Sequence, residues 1–314
     1  MRKNANKMRN FTFLKLFVFV ISANVGFHQS ACSKESVQKM NKVEIVSSQF
    51  LNEHLDDYIV IDARESGYTF GHIAGSFSMD WRDFTEERPG LISYLFGDVA
   101  GWGRVITNQT KIESFLSGIG VSNNSRVVVV GEPKKWGTEG RVAWNLLFWG
   151  LEKVSLLDGG IDAWRNKGFT LVRSRSKVTK KNAKANFKMK LDNRRRILVN
   201  ELESNLKEFK LIDVRTSEEF AGKTETGQKA GGHIPDATLI PVADLYSPDG
   251  RFISVSEFKK KSIDDSKPIA SYCLGGVRAA LFAMLYEAYF NQIVRNYDGS
   301  LWEWTKDSKR PMSK

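Results

Sequence analysis

Three short segments occur twice, in the same order, along this chain of 314 residues. Ile59-Val-Ile-Asp62-Ala-Arg64 is matched by Leu211-Ile-Asp213-Val-Arg215, and Gly71-His72-Ile-Ala-Gly-Ser76 by Gly232-His233-Ile-Pro-Asp-Ala237. Leu157-Asp158-Gly-Gly-Ile-Asp-Ala-Trp164 is matched by Tyr297-Asp298-Gly-Ser-Leu-Trp-Glu-Trp304. Ordered repeats of this kind mark an internal duplication, so one supersecondary plan must serve both halves. Tyr58–Ile61 and Arg126–Val130 are short β-branched runs of the sort that parallel strands buried on both faces require, and Val154–Leu157 reads as another strand. Arg141–Trp149 carries apolar residues at helical spacing. The expectation is an α/β fold: two domains, each an open, mainly parallel sheet flanked by helices, with sites at the carboxyl ends of the strands.

Cys273 is the residue that most constrains the chemistry. It follows the apolar run Pro268-Ile-Ala-Ser-Tyr272, opens the loop Cys273-Leu-Gly-Gly-Val-Arg278, and precedes a helix-like stretch, Ala279–Tyr286. A thiol between a strand end and a helix N-terminus sits where backbone N–H groups and the helix dipole favour the thiolate. The corresponding segment of the first half, Gly131-Glu-Pro-Lys-Lys-Trp-Gly-Thr-Glu-Gly140, has no cysteine.

The only other cysteine, Cys32, belongs to the N-terminus. Arg2, Lys3, Lys7 and Arg9 form a basic region, and Phe11–Ala23 is apolar apart from Thr12, Lys15 and Ser22. Small residues then lead to Cys32 in Gln29-Ser-Ala-Cys32-Ser-Lys. Residues 1–32 therefore read as an export signal of the lipoprotein type, with Cys32 as the lipidated residue, although Gln29 stands where an aliphatic residue is usual. That reading places the protein outside the cytoplasm, periplasmic or anchored to a membrane by lipid. An ordinary cleaved signal is the competing reading. In either case Cys273 is left without a thiol to pair with, in a compartment that oxidises thiols.

The formal charge of +11 is concentrated in one place. Residues 173–196 hold eleven Lys or Arg against the single acid Asp192. A basic run between two apolar-periodic regions reads as a solvated linker, and with Phe187 its only aromatic it lacks the pattern of a nucleic-acid surface. The boundaries that follow are a first domain over 43–172, a linker over 173–194 and a second domain over 195–310. No metal-ligand spacing and no phosphate-cradle motif occur, and no cofactor is called for.

Taken together, the tandem repeat, the Asp-x-Arg segments, the Gly-His-Ile segments, the Asp-Gly ends and the single cysteine loop resemble the two-domain rhodaneses, the thiosulfate/3-mercaptopyruvate sulfurtransferases, over residues 43–310. The resemblance implies a catalytic Cys273, a substrate-binding loop formed by Leu274, Gly275, Gly276, Val277 and Arg278, and an inactive first domain. It implies a persulfide relay from a small anionic sulfur donor to a thiol or cyanide acceptor. Gly275 and Gly276 let the loop turn its N–H groups inward, and Arg278 can add positive charge for the donor. Asp62, Arg64, Asp213 and Arg215 read as an ion-pair framework. His72 and His233 recur in the half without a thiol, and so read as packing rather than as a base for Cys273. Trp164, Trp302 and Trp304 read as core or domain-interface aromatics. Two departures leave the donor open: Gly275 stands where thiosulfate-specific members place a lysine, and Glu219 where an arginine is usual. The Cys-x4-Arg count fits a sulfur-binding loop rather than the longer loop of related phosphatases and arsenate reductases. A sulfur carrier or sensor without turnover is the remaining alternative.

Overall fold

The computed structural model describes residues 42–87, 101–177 and 183–314. The signal-like segment and Cys32 lie outside these residues. The first half is a five-stranded sheet in which every pairing is parallel, ordered β1 (Lys42–Val46), β6 (Lys153–Leu157), β5 (Arg126–Val130), β2 (Ile59–Asp62), β4 (Phe77–Ser78). The second is a four-stranded parallel sheet ordered β11 (Arg295–Asn296), β10 (Ile269–Tyr272), β8 (Lys210–Asp213), β9 (Thr238–Leu239). A parallel bridge between Arg196 and Asn296 stands where β1 stands in the first sheet.

The duplication extends to the small accessory pairings. In the first half β3 (His72–Ile73) pairs antiparallel with β7 (Leu171–Val172). In the second, His233 forms an antiparallel bridge with Ser313. Both Asp-x-Arg segments close as the same buried ion pair. Arg64 Nη2 donates to Asp62 Oδ2 at 2.7 Å and to Gly71 O at 2.7 Å; Arg215 Nη2 donates to Asp213 Oδ2 at 2.7 Å and to Gly232 O at 2.8 Å. Each arginine therefore ties a strand end to the Gly-His segment. The histidines are packing residues: His72 stacks on Tyr68 and His233 on Phe220, each with Nδ1 against the backbone oxygen of its stacking partner.

Val127–Val130 at the centre of the first sheet are fully buried because helices cover both of its faces. The helix after β5, Thr138–Phe148, is buried all round, including the polar Glu139, Arg141 and Asn145. It packs on its own sheet and also on its counterpart after β10, Val277–Phe290. The two helices approach so closely at Gly140 that an added Cβ would lie 2.2 Å from Leu281 Cα. Only a glycine permits that contact, and one hydrophobic core runs through both halves as a result.

The described cations of the basic segment are mostly exposed, Arg173, Arg175, Lys177, Lys184, Lys188, Lys190 and Arg194 among them, but part of the segment is fixed to the fold. Phe187 is fully buried, and residues 186–192 are stitched to the first half by backbone N–H groups. Phe187 N donates to Ser117 Oγ at 3.0 Å, Lys188 N to Asn123 Oδ1 at 2.9 Å, and Asp192 N to Phe148 O at 2.8 Å. Arg195 is fully buried in an ion pair with Glu287, and Arg196 pairs with Asp298 at 3.0 Å. Part of the excess charge is therefore taken into ion pairs of the second half.

Candidate active site

Cys273 follows β10 directly, and the helix begins at Val277, so Val277 and Arg278 form its first turn. Gly276 caps that helix with φ +72°, the left-handed region that favours glycine. Every carbonyl of this tight turn that has a partner is anchored on the outside. Cys273 O accepts from Leu301 N at 3.3 Å, Leu274 O from Trp302 N at 2.9 Å, and Gly276 O from Asn296 Nδ2 at 3.0 Å and Arg141 Nη1 at 3.3 Å. In a trans peptide the N–H points opposite to the C=O. Anchoring these carbonyls outward therefore turns the N–H groups of Leu274, Gly275 and Val277 to the concave side of the loop. The N–H groups of Leu274, Gly275 and Gly276 have no partner within the described protein. A cradle of free amide donors is what a sulfur anion needs. Cys273 itself is buried, and its own N–H donates to Ser300 Oγ at 3.1 Å.

A cleft of about 340 Å³ opens onto the thiol. Its floor is the loop, with Leu274, Gly275, Val277 and Arg278 beside Cys273. Its walls come from both halves: Trp81, Arg82, Trp102 and Trp136 from the first, Trp302 from the second. Trp102 stacks on Trp302 across the junction, with centroids 5.0 Å apart and planes 8° from parallel. Trp302 also closes on Gly275, where an added Cβ would lie 2.2 Å from the ring. The position at which the resemblance would place a lysine is thus glycine because an indole fills the space. Of the tryptophans read as core or interface, Trp164 and Trp304 are core, and Trp302 walls the cleft.

The charges in the cleft are largely spoken for. Arg278 Nη1 and Nη2 donate to Glu219 Oε2 and Oε1 at 2.6 and 2.8 Å, with both side chains buried. Burial alone would lower the guanidinium, but the Glu219 hydrogen bonds and the charge of Cys273 outweigh it and hold Arg278 above its ordinary value. Burial likewise pushes Glu219 up, and the Arg278 contacts prevail and keep it below the usual carboxylate range. Glu219 also accepts from Thr216 N at 3.0 Å and closes a capping box. The charge reversal seen in the sequence is therefore the clamp on Arg278. Arg82 is gripped in the same way by Asp80, at 2.9 and 2.6 Å.

Sequence reasoning took the first half as a structural or substrate-shaping partner but did not name the residues it contributes. Trp81, Arg82 and Trp102 come from segments to which the sequence assigned no role, Trp136 from the segment without a cysteine, and Arg141 from a helix read as apolar. The visible signal was a charge inside an apolar helical run, which a buried helix tolerates only for a reason. The Asp-Gly motifs had a role that the repeat alone did not reveal. Asp298 Oδ2 accepts from Val105 N at 2.8 Å, and Asp158 Oδ1 from Phe252 N at 2.9 Å, so each motif holds a loop of the opposite half.

A family model described as Rhodanese-like domain matches residues 47–167 and again 198–307. A thiosulfate sulfurtransferase of Corynebacterium glutamicum is 29% identical over 289 residues, covering 85% of this chain and 89% of that protein. Among solved structures, the anaerobic ergothioneine biosynthesis enzyme of Chlorobium limicola, in complex with its natural substrate trimethyl histidine, superposes with a TM-score of 0.72 at 19% identity. It covers 86% of this chain and 70% of that one. YnjE superposes with a TM-score of 0.72 at 22% identity, covering 86% and 68%. At these identities the two structures speak for the fold.

Proposed function

The chain belongs to the rhodanese-like domain family and is a rhodanese-family sulfurtransferase; we propose that it works through a persulfide on Cys273, with thiosulfate or a related small anion as donor. The observation that carries this reading is the buried thiol at the end of β10, set in a loop whose Cys273, Leu274 and Gly276 carbonyls are drawn outward. In the first step the Cys273 thiolate attacks the outer sulfur of thiosulfate, an S–S bond forms, and sulfite leaves with the electron pair of the old bond. In the second, cyanide or a thiol attacks the outer sulfur of the persulfide, and the thiolate is regenerated. The amide donors of the loop stabilise the anion in every intermediate without a histidine base. The half that lacks the thiol contributes walls.

The test is thiocyanate formation from thiosulfate and cyanide, with intact-mass measurement after donor alone. Wild type gains about 32 Da, one sulfur, and Cys273→Ala gains nothing and makes no thiocyanate. Thiocyanate made by the alanine variant at wild-type rate would refute the assignment. One observation favours a carrier without turnover: Glu219 neutralises Arg278, the loop's own cation. A carrier takes up the sulfur and makes no thiocyanate. The same commitment of Arg278 argues against phosphate-ester chemistry, which needs that guanidinium for the oxyanion. Export, with lipidation at Cys32, is part of the proposal, and the mass of the mature N-terminus decides it.

A further inference from the structure

Arg141 is a fully buried guanidinium that belongs to the half without the thiol, yet it reaches the Cys273 loop. Its Nη1 donates to Gly276 O at 3.3 Å and its Nη2 to Gly103 O. The Trp81 ring lies 5.8 Å from it and the Trp144 ring 5.4 Å. Its Nε has no hydrogen-bond partner, and no carboxylate lies within ion-pair distance of it among the described residues. The acid that acts on it most strongly, Asp298, is bound to Arg196 at 3.0 Å and to Val105 N at 2.8 Å. A cation taken out of water without a partner is costly, and a protein keeps one only where a counter-charge arrives.

The contrast with Arg278 is direct. Both guanidiniums feel the charge of Cys273. Arg278 is cancelled by a bidentate carboxylate, and Arg141 is held by carbonyl oxygens and indole faces alone. We propose that Arg141 is the positioning residue and counter-charge of the Cys273 loop, supplied by the half that has lost its own thiol. It acts in two ways. It draws Gly276 O outward, which turns the Val277 N–H toward the sulfur, and it places one uncancelled positive charge beside the thiolate and the persulfide. This gives the first half a chemical reason to be retained. It also explains why Gly103 is glycine: an added Cβ would lie 2.4 Å from Asp298 O and 2.9 Å from Gly275 O, and would push the segment off the loop that Arg141 braces.

This inference rests on Cys273 being the nucleophile, and the experiment separates the two claims. The full chain and its Arg141→Met and Arg141→Lys variants are compared by the rate of Cys273 alkylation with iodoacetamide at pH 7.5, read by intact mass, with Cys273→Ser as the blank for Cys32. Persulfide loading from thiosulfate is then followed in a single turnover. Arg141→Met slows both by about tenfold, the size of one lost charge neighbour, and lowers kcat more than it raises KM. Arg141→Lys keeps the charge and stays within about threefold of wild type in both. The inference is overturned if folded Arg141→Met reacts within twofold of wild type. It is overturned equally if the Lys and Met variants are impaired alike, which marks a packing role. If the Met variant does not fold, a tenfold loss in the folded Lys variant overturns it. Alkylation that follows this pattern while no variant, nor wild type, loads sulfur would leave the role of Arg141 standing and sink the sulfurtransferase reading instead.

Discussion

Replacing Glu219 by Gln isolates the clamp on the Cys273 loop. The wild-type carboxylate holds both terminal nitrogens of Arg278 at 2.6 and 2.8 Å and caps its own helix through Thr216 N at 3.0 Å, with the two charged side chains 4% and 5% exposed. The amide keeps one acceptor for Arg278 and loses the second hydrogen bond and the charge. Removing one partner of a buried pair costs about 3–5 kcal/mol, and the hydrogen bond that Gln retains brings the expected loss to about 3 kcal/mol. Urea unfolding followed by tryptophan fluorescence measures it. The pH dependence gives a second, sharper check. Glu219 titrates below its unfolded value of 4.5 in the folded protein, so its contribution is fully present above that value and is lost as pH falls through the folded pKa. The gap between wild type and Glu219→Gln stays constant from pH 7 down to about 5 and closes below 4.5. A gap under about 1 kcal/mol at pH 7, or one that closes well above pH 5, refutes the clamp. The variant also leaves Arg278 charged and uncancelled beside Cys273, so the thiosulfate KM falls severalfold at low ionic strength.

Two further outcomes follow from the same geometry. Gly275→Ala drives a methyl into the Trp302 ring and costs about 1–3 kcal/mol as overpacking; loading of Cys273 falls at least tenfold while the rest of the fold stands, and wild-type loading would show that Trp302 yields freely. Glu139, buried against Tyr246 OH at 2.6 Å, has its carboxyl pushed up to about 7 by burial. The unfolded chain gives up that proton earlier, so wild type loses stability, by up to a few kcal/mol, as pH rises from 4.5 to about 7. Glu139→Gln removes this slope, and an unchanged urea midpoint profile across that range in the variant would contradict it.

The duplication, the buried parallel strands and the thiol at a strand end were all legible in the chain, because each is a local matter. Alternation, β-branched runs and a glycine turn are written in neighbouring residues, and a duplicated motif can be matched against itself. The pairing of Asp62 with Arg64 and of Asp213 with Arg215 was equally legible, since a single residue separates the partners. Arg195 shows where that reasoning stopped. It sits in a run of basic residues that reads as solvated linker, and it is fully buried against Glu287, which lies far away in sequence.

The amino-acid sequence by itself determined that the chain folds as two copies of one α/β unit and that the loop after the central strand carries a thiol, Cys273, in the second copy alone. Only the tertiary structure decided what surrounds that thiol. Glu219 cancels Arg278, Trp302 fills the space above Gly275, and Arg141 crosses from the other half to the loop. Each of these is a contact between residues tens to more than a hundred positions apart. The Arg141 contact is set by how two helices close on Gly140 and Leu281, and the packing of one helix on another leaves no periodicity that a single strand or helix would reveal.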